Sequence, residues 1–319
     1  MQRPSRLAAL ALTAALVLVG CGSDTDNGGA APSTTAAGGT TAPAGGGDFP
    51  ITVTGGNGEL TLDARPERIV VLAPSLTETV YAVGAGDQVV AVDDQSNFPE
   101  DAPTTALSGY EPNVEAIGDF DPDLVIASDD PGDLGKGLEA IDVAFLLLPA
   151  VDDLEGAYHQ IEVVGDATGH ADEADDLVAD MKTTIKSLQE EVPEGEPVTY
   201  FHELDDMLYT VTSSTFIGQL YELAGFENVA DGADPEGTGY PQLSPEALLD
   251  ADPQAVFLAD TKCCGQTPES VAKRPGWSEL TAVKEGNVFP LDDDISSRWG
   301  PRIVDFLQAL VDARSQIAG

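Results

Sequence analysis

The chain of 319 residues has few basic groups: 14 lysines and arginines stand against 56 aspartates and glutamates. A formal charge of −42 repels phosphate backbones and anionic head groups, which argues against nucleic acid and a lipid surface as partners. Imidazole is scarce too, with three histidines in all. His159 and His170 fall beside a predicted helix as surface or packing residues, and His202 ends a predicted strand, where it either packs or lines a cleft. A receptor dedicated to zinc or manganese would bring more imidazoles together. Enzyme signatures are missing as well: there is no GxGxxG after a strand, no GxxxxGK followed by Ser or Thr, no GxSxG elbow and no HExxH. Among so many acids, Asp205-Asp206 and Asp292-Asp293-Asp294 read first as solvated acidic loops.

Long apolar runs are absent. Leu7 to Gly20 offers about fourteen uncharged residues, against the roughly 20 a helix needs to cross a bilayer. Arg3 and Arg6 before it give the charged start of an export signal, and the apolar stretch gives its core. The run ends in Leu18-Val19-Gly20-Cys21, which resembles the lipobox of bacterial lipoproteins, where the leader is removed and the cysteine acylated. The alternative is an ordinary signal peptide with an incidental cysteine. Residues 22 to 47 are almost entirely Gly, Ala, Ser, Thr, Pro, Asp and Asn, too little apolar bulk to offset the entropy of ordering. About 26 such residues span roughly 28 Å r.m.s.. A leader over 1–20 and a linker over 21–50 anchored at Cys21 follow, and the body stands outside the cytoplasmic membrane. Without Arg3 and Arg6, 12 basic side chains face 56 acidic ones, a balance of −44.

About 270 residues remain, enough for two ordinary lobes. They hold two cysteines, Cys263 and Cys264, which are adjacent. Neighbouring Cα atoms lie about 3.8 Å apart, below the usual disulfide range of roughly 4.4 to 6.8 Å. Three readings stay open: two small apolar side chains buried in a loop, a strained vicinal disulfide permitted by export, or a thiolate metal site lacking its other ligands.

The body repeats itself. "EAIGDFDPDLVIA" from Glu115 and "EALLDADPQAVFLA" from Glu246 align without gaps, sharing Glu-Ala, then Asp119 and Asp250, then Asp-Pro, then Val125 and Val256. Asn113 and Ser244 are suited to N-cap a short helix, and Pro245 suits the first helical position. Asp-Pro ends each helix before an apolar run of the buried parallel-strand type, Leu124 to Ala127 and Ala255 to Leu258. Glu115 and Glu246 each fall in a first helical turn, where the helix dipole favours a carboxylate.

Strands are predicted at 68–73, 88–93 and 143–149, and Ser75-Leu76-Thr77-Glu78 has the capping-box pattern for a helix ended by Gly84. The second lobe offers "PVTYFH", a helix near Phe216 to Ala224, the repeated unit, "GNVFPLD" and a helix after Pro301 with Ile303, Phe306, Leu307, Leu310 and Val311 on one face. Between the lobes, Leu177, Val178, Met181, Ile185, Leu188 and Val192 keep helical spacing over 171–192, about 33 Å of helix. The predicted fold is α/β, with two Rossmann-like lobes of mostly parallel sheet (66–169 and 196–319) joined by one long rigid helix (170–193).

Lipobox, linker, "RIVVLAPSLTETVYAVGAGDQVVAV", Asn97-Phe98-Pro99, "EPNVEAI", "DPDLVIAS", "RPGWSELTAVKEGNVF" and "SSRWGPRIVDFLQAL" together resemble the periplasmic-binding proteins that deliver ferric siderophores, haem or cobalamin to ABC importers. The resemblance implies a monomer with a ligand cleft between the lobes, restricted hinge motion, no permanently held cofactor and no catalysis. Its partners are a small metal chelate and an ABC permease with its ATPase, and it touches the membrane only through the anchor. By motif position Glu115 and Glu246 are the surface glutamates that dock against permease arginines. The matching cleft positions are Asp94, Gln95, Asn97, Phe98, Tyr110, Tyr209, Phe216, Asp294, Arg298 and Trp299. Aromatics there stack on a macrocycle or catecholate, and Arg298 pairs with a ligand carboxylate or phenolate, or else with one of Asp292 to Asp294. Ile295 and Gly109 stand where cobalamin binders often carry aromatics, which tilts the expectation towards an iron complex. The rival classes are an extracellular acidic enzyme and a surface scaffold without a small ligand.

Overall fold

The computed structural model describes residues 49–319, so the leader 1–20, Cys21 and nearly all of the linker 21–50 lie outside the described residues. The first element is an antiparallel hairpin that the strand reading above lacks, β1 (Ile51–Gly55) and β2 (Gly58–Leu62). Its turn carries Asn57-Gly58, and it docks on the first lobe: Gly56 N–H donates to Leu147 O at 2.7 Å, and the Asn57 side chain bonds Phe145 O and Leu147 N–H.

Two four-stranded parallel sheets follow. The first contains β3 (Ile69–Leu72), β4 (Val89–Val92), β5 (Leu124–Ala127) and β6 (Ala144–Leu147), in the order β4-β3-β5-β6. The second contains β7 (Val198–Glu203), β8 (Phe226–Asn228), β9 (Ala255–Leu258) and β10 (Val288–Pro290), in the order β8-β7-β9-β10. Both have one topology, so the repeat seen in thirteen or so residues of sequence extends to whole sheets. In each copy the expected N-cap is present. Asn113 Oδ1 accepts from Ala116 N–H before helix Val114–Gly118, and Ser244 Oγ accepts from Ala247 N–H before helix Pro245–Ala251. Asp121 and Asp252 then turn the chain with φ of 46° and 41° ahead of their prolines.

Strand alternation divides the core. Ile69, Val71, Leu124 and Ile126 face one apolar cluster, while Val70, Leu72, Val125 and Ala127 face another. In the second sheet Ala255 and Phe257 join the first of these clusters, whereas Val256 and Leu258 face a third. One continuous core therefore runs between the sheets, filled by helices Leu154–Thr168, Ala171–Glu191 and Ile303–Ala318. Helix Ala171–Glu191 follows the left-handed Gly169 (φ 75°) and buries Val178, Met181, Ile185 and Leu188. Packing it on both sides resists bending far more than a free linker would. Among the described residues, no helix is long and apolar enough to cross a membrane.

One local expectation fails. Helix Pro74–Ala82 starts at Pro74 with Ala73 as a cap that makes no side-chain bond, so Ser75 and Glu78 lie inside the helix and form no capping box.

Candidate functional site

Parallel strands leave their C-terminal ends along one edge, and in the first lobe that edge is open. Leu72 at the end of β3 and Ala73 beyond it, Asp93 and Gln95 after β4, and Ser128 and Asp129 after β5 line a cavity of about 330 Å³. Tyr110, 81 % exposed, stands at its rim. Gly109 beside it lies so close to β3 that a Cβ would come within 2.7 Å of Leu72 O, so the glycine there reflects backbone packing. Burial pushes the Asp93 carboxyl up, only partly opposed by its hydrogen bond from Ser96.

The second lobe closes the cavity with one segment, helix Asp293–Ser297 and the residues that follow it. Asp294, Ser297, Arg298 and Trp299 line the wall, and each of the last three also borders a smaller cavity of about 80 Å³ shared with Phe216 and Tyr240. This segment is fastened across the lobes. Arg298 donates to Glu78 Oε1 at 2.7 Å, to Asn97 Oδ1 at 2.9 Å and to Asp294 Oδ1 at 2.8 Å. Arg302 bonds both oxygens of Glu78, and that bond raises its already high pKa. The Glu78 side chain is 2 % exposed. Trp299 Nε1 donates to Gln160 Oε1 at 3.1 Å on helix Leu154–Thr168. For Asp294, burial acts upward, but hydrogen bonds from Lys262 and Asn97 and the charge of Arg298 outweigh it, leaving the carboxyl below its usual range.

Of the expected cleft residues, Gln95, Tyr110, Asp294, Arg298 and Trp299 meet at the larger cavity and Phe216 reaches the smaller one. Asn97 braces Arg298 and Asp294, and the Phe98 ring lies 4.2 Å from the Arg302 guanidinium; both support the latch and neither lines the cavity. Asp94 is exposed beside Gln95, and Tyr209 pairs with Gln242; neither lines either cavity. Glu78, Arg302, Asp129 and Tyr240 are additions. Asp129 had a usable signal, since it follows the end of a predicted strand, whereas Glu78 had none.

His202 is fully buried against Tyr221, at 2.8 Å from its hydroxyl, and burial pushes its pKa down to about 3, so it is a packing residue. His159 is exposed, and His170 contacts Arg65 and Gln88 where the connecting helix begins. Glu115 and Glu246 are exposed at matching positions of the two repeat helices. Cys263 and Cys264 are free and exposed in the one-turn helix Thr261–Cys264, which corrects the expectation of a buried loop; the structure holds no bridge between them. Among the described residues, no group of three or more His, Cys, Asp or Glu side chains is placed to hold a metal ion.

Residues 69–295 match a family model described as periplasmic binding protein. An uncharacterized ABC transporter substrate-binding lipoprotein of Bacillus subtilis, YvrC, is 31% identical, the match covering 98% of each chain. A cobalamin-binding protein of Halobacterium salinarum is 31% identical over 83% of this chain and 74% of its own. Among solved structures, the periplasmic vitamin B12 binding protein BtuF of Vibrio cholerae superposes with a TM-score of 0.66 at 25% identity, covering 79% of this chain and 98% of that one.

Proposed function

The chain belongs to the periplasmic binding protein family, and from that premise we propose that it captures a corrinoid in the inter-lobe cleft and presents it to an ABC permease. The observation that carries the ligand class is the state of Arg298. It is the one cation among the described residues lining the cavity, and Glu78, Asn97, Asp294 and Gln95 O already occupy both of its terminal nitrogens. A ferric catecholate or the propionates of haem would meet Asp93, Asp129 and Asp294 with no free positive partner, inside a chain of net charge −42. An amide-rimmed corrin suits the same wall: its N–H groups donate to the carboxylates and Ser128, while Tyr110 and Trp299 offer faces to the ring. The relatives named for cobalamin support the same class. This reading runs against the tilt towards an iron complex that Ile295 and Gly109 gave.

Nothing in the cleft performs bond-making chemistry in this reading. Affinity comes from a largely formed cavity with few placed polar groups, and the shared core limits closure to a modest movement. Glu115 and Glu246 are the docking pair, one on each lobe at the start of equivalent helices. Cys21 carries the lipid that holds the protein on the outer face of the cytoplasmic membrane, with the linker as its tether. The test is a calorimetric titration with cyanocobalamin, haemin and a panel of ferric siderophores. Submicromolar binding of cyanocobalamin with the others weaker by at least tenfold is expected; saturable binding of an iron complex alone would overturn the corrinoid assignment.

A further inference from the structure

The adjacent thiols do not belong to the cleft, yet they are wired to it. Helix Thr261–Cys264 is one turn long, and a single side chain from outside caps it. Asp293 accepts from the backbone N–H groups of Thr261, Lys262 and Cys263, all at 2.9 to 3.0 Å, and from the Thr261 hydroxyl at 2.8 Å. Lys262 Nζ extends the contact to Asp292 at 2.6 Å and Asp294 at 2.7 Å, and Asp294 holds Arg298 at 2.8 Å. For Asp293, burial acts upward, but those backbone donors prevail and keep the carboxyl below its usual range. Both cysteines are free and exposed, side by side in the sequence.

We infer that Cys263-Cys264 is a thiol-modification site, closed to a vicinal disulfide by a disulfide oxidant, and that closure loosens the wall of the cleft through Asp293 and Lys262. The thiolate of one cysteine attacks a sulfur of the oxidant and expels one thiolate. The other cysteine then gives up its proton and attacks the first Sγ, expelling the second. The oxidant takes two electrons and leaves as two thiols, and the protein has lost two hydrogens. Consecutive side chains of a helix point about 100° apart around its axis, which keeps their Cβ atoms too far apart for a bridge, so the turn must unwind to close the ring. The N–H groups of Lys262 and Cys263 then leave Asp293, Lys262 leaves Asp294, and of the two carboxylates that hold Arg298, Asp294 has lost its other cation.

The test needs no cleft ligand, so its failure is separate from failure of the corrinoid reading. The full chain as Cys21→Ser, which leaves these two thiols alone, is equilibrated in oxidised and reduced glutathione and followed by intact mass and amide hydrogen exchange. Expected are the loss of two hydrogen masses without an adduct, and exchange at least several-fold faster at 261–264 and at 292–299. Both changes are reversed by dithiothreitol and absent in a further Cys263→Ser variant, which takes up a glutathione adduct. Glutathione adducts on the unmutated pair would show that no bridge closes. A bridge with unchanged exchange at 292–299 would overturn the link to the cleft.

Discussion

The two lobes share one strand order, yet only the first opens its sheet edge to the cleft. After β3, β4 and β5 come Ala73, Asp93 and Ser128-Asp129, all at the cavity. The equivalent edge of the second lobe is filled. β7 ends in His202 and Glu203, both fully buried, with Arg274 bidentate on Glu203 at 2.6 and 2.7 Å and stacked over Trp277 at 4.6 Å. β9 leads to Asp260, also fully buried. The second lobe therefore reaches the cavity from a different place, the segment after β10, which contacts Glu78 and Gln160 of the first. Equal scaffolds thus carry unequal sites, because the side chains after each strand decide whether an edge is a wall or a core.

The sharpest way to break this contrast is at Glu78. Replacing it with Ala leaves Arg298 and Arg302, whose side chains are 11% and 18% exposed, without their shared carboxylate. The expected loss is about 3 to 5 kcal/mol, the scale for removing one partner of a buried ion pair. It is read from the urea midpoint with the slope unchanged. A loss under about 1 kcal/mol would class the latch with surface pairs.

Asp260 tests the filled edge. Burial first, and then the charge of Glu203, raise its pKa to about 7. In the unfolded chain the same carboxyl loses its proton near the ordinary carboxylate value, so between the two the folded state holds the extra proton. Stability from this group is full below the lower value and is lost as pH rises through about 7. Asp260→Asn removes that fall, and urea midpoints should show the variant gaining on the wild type as pH rises from about 4 to 8. Parallel profiles would contradict the buried, protonated carboxyl.

Trp299 and Tyr209 form a matched pair of aromatics in the second lobe, one lining the cavity and one outside it. Trp299→Ala should weaken cyanocobalamin by about tenfold, or ~1.4 kcal/mol, while Tyr209→Ala leaves it unchanged in the same titration. The smallest effects belong to the caps. Asn113→Ala and Ser244→Ala should each cost about 1 kcal/mol by urea denaturation, and nearly equal losses would extend the repeat from geometry to energetics.

What was legible in the sequence was local. An N-cap, a short helix, Asp-Pro and four apolar residues specify each repeat unit within about fourteen positions, and both form as expected. Asn57-Gly58 between alternating residues was equally local, yet β1 and β2 were absent from the strand reading. Glu78 shows the opposite limit. Its spacing from Ser75 imitates a capping box, while its partners lie 220 and 224 positions away, a pairing that no local pattern encodes. Tyr209 and Asp94 stand at motif positions equally plausible from sequence, yet they are not among the residues that line the cavity.

The central claim, that the two repeat helices present a docking pair to a permease, is tested most directly by Glu115→Ala with Glu246→Ala. Binding of cyanocobalamin by the purified double variant should match the wild type, while uptake in cells that carry the importer and the double variant is abolished. Normal uptake by the double variant would contradict the docking assignment.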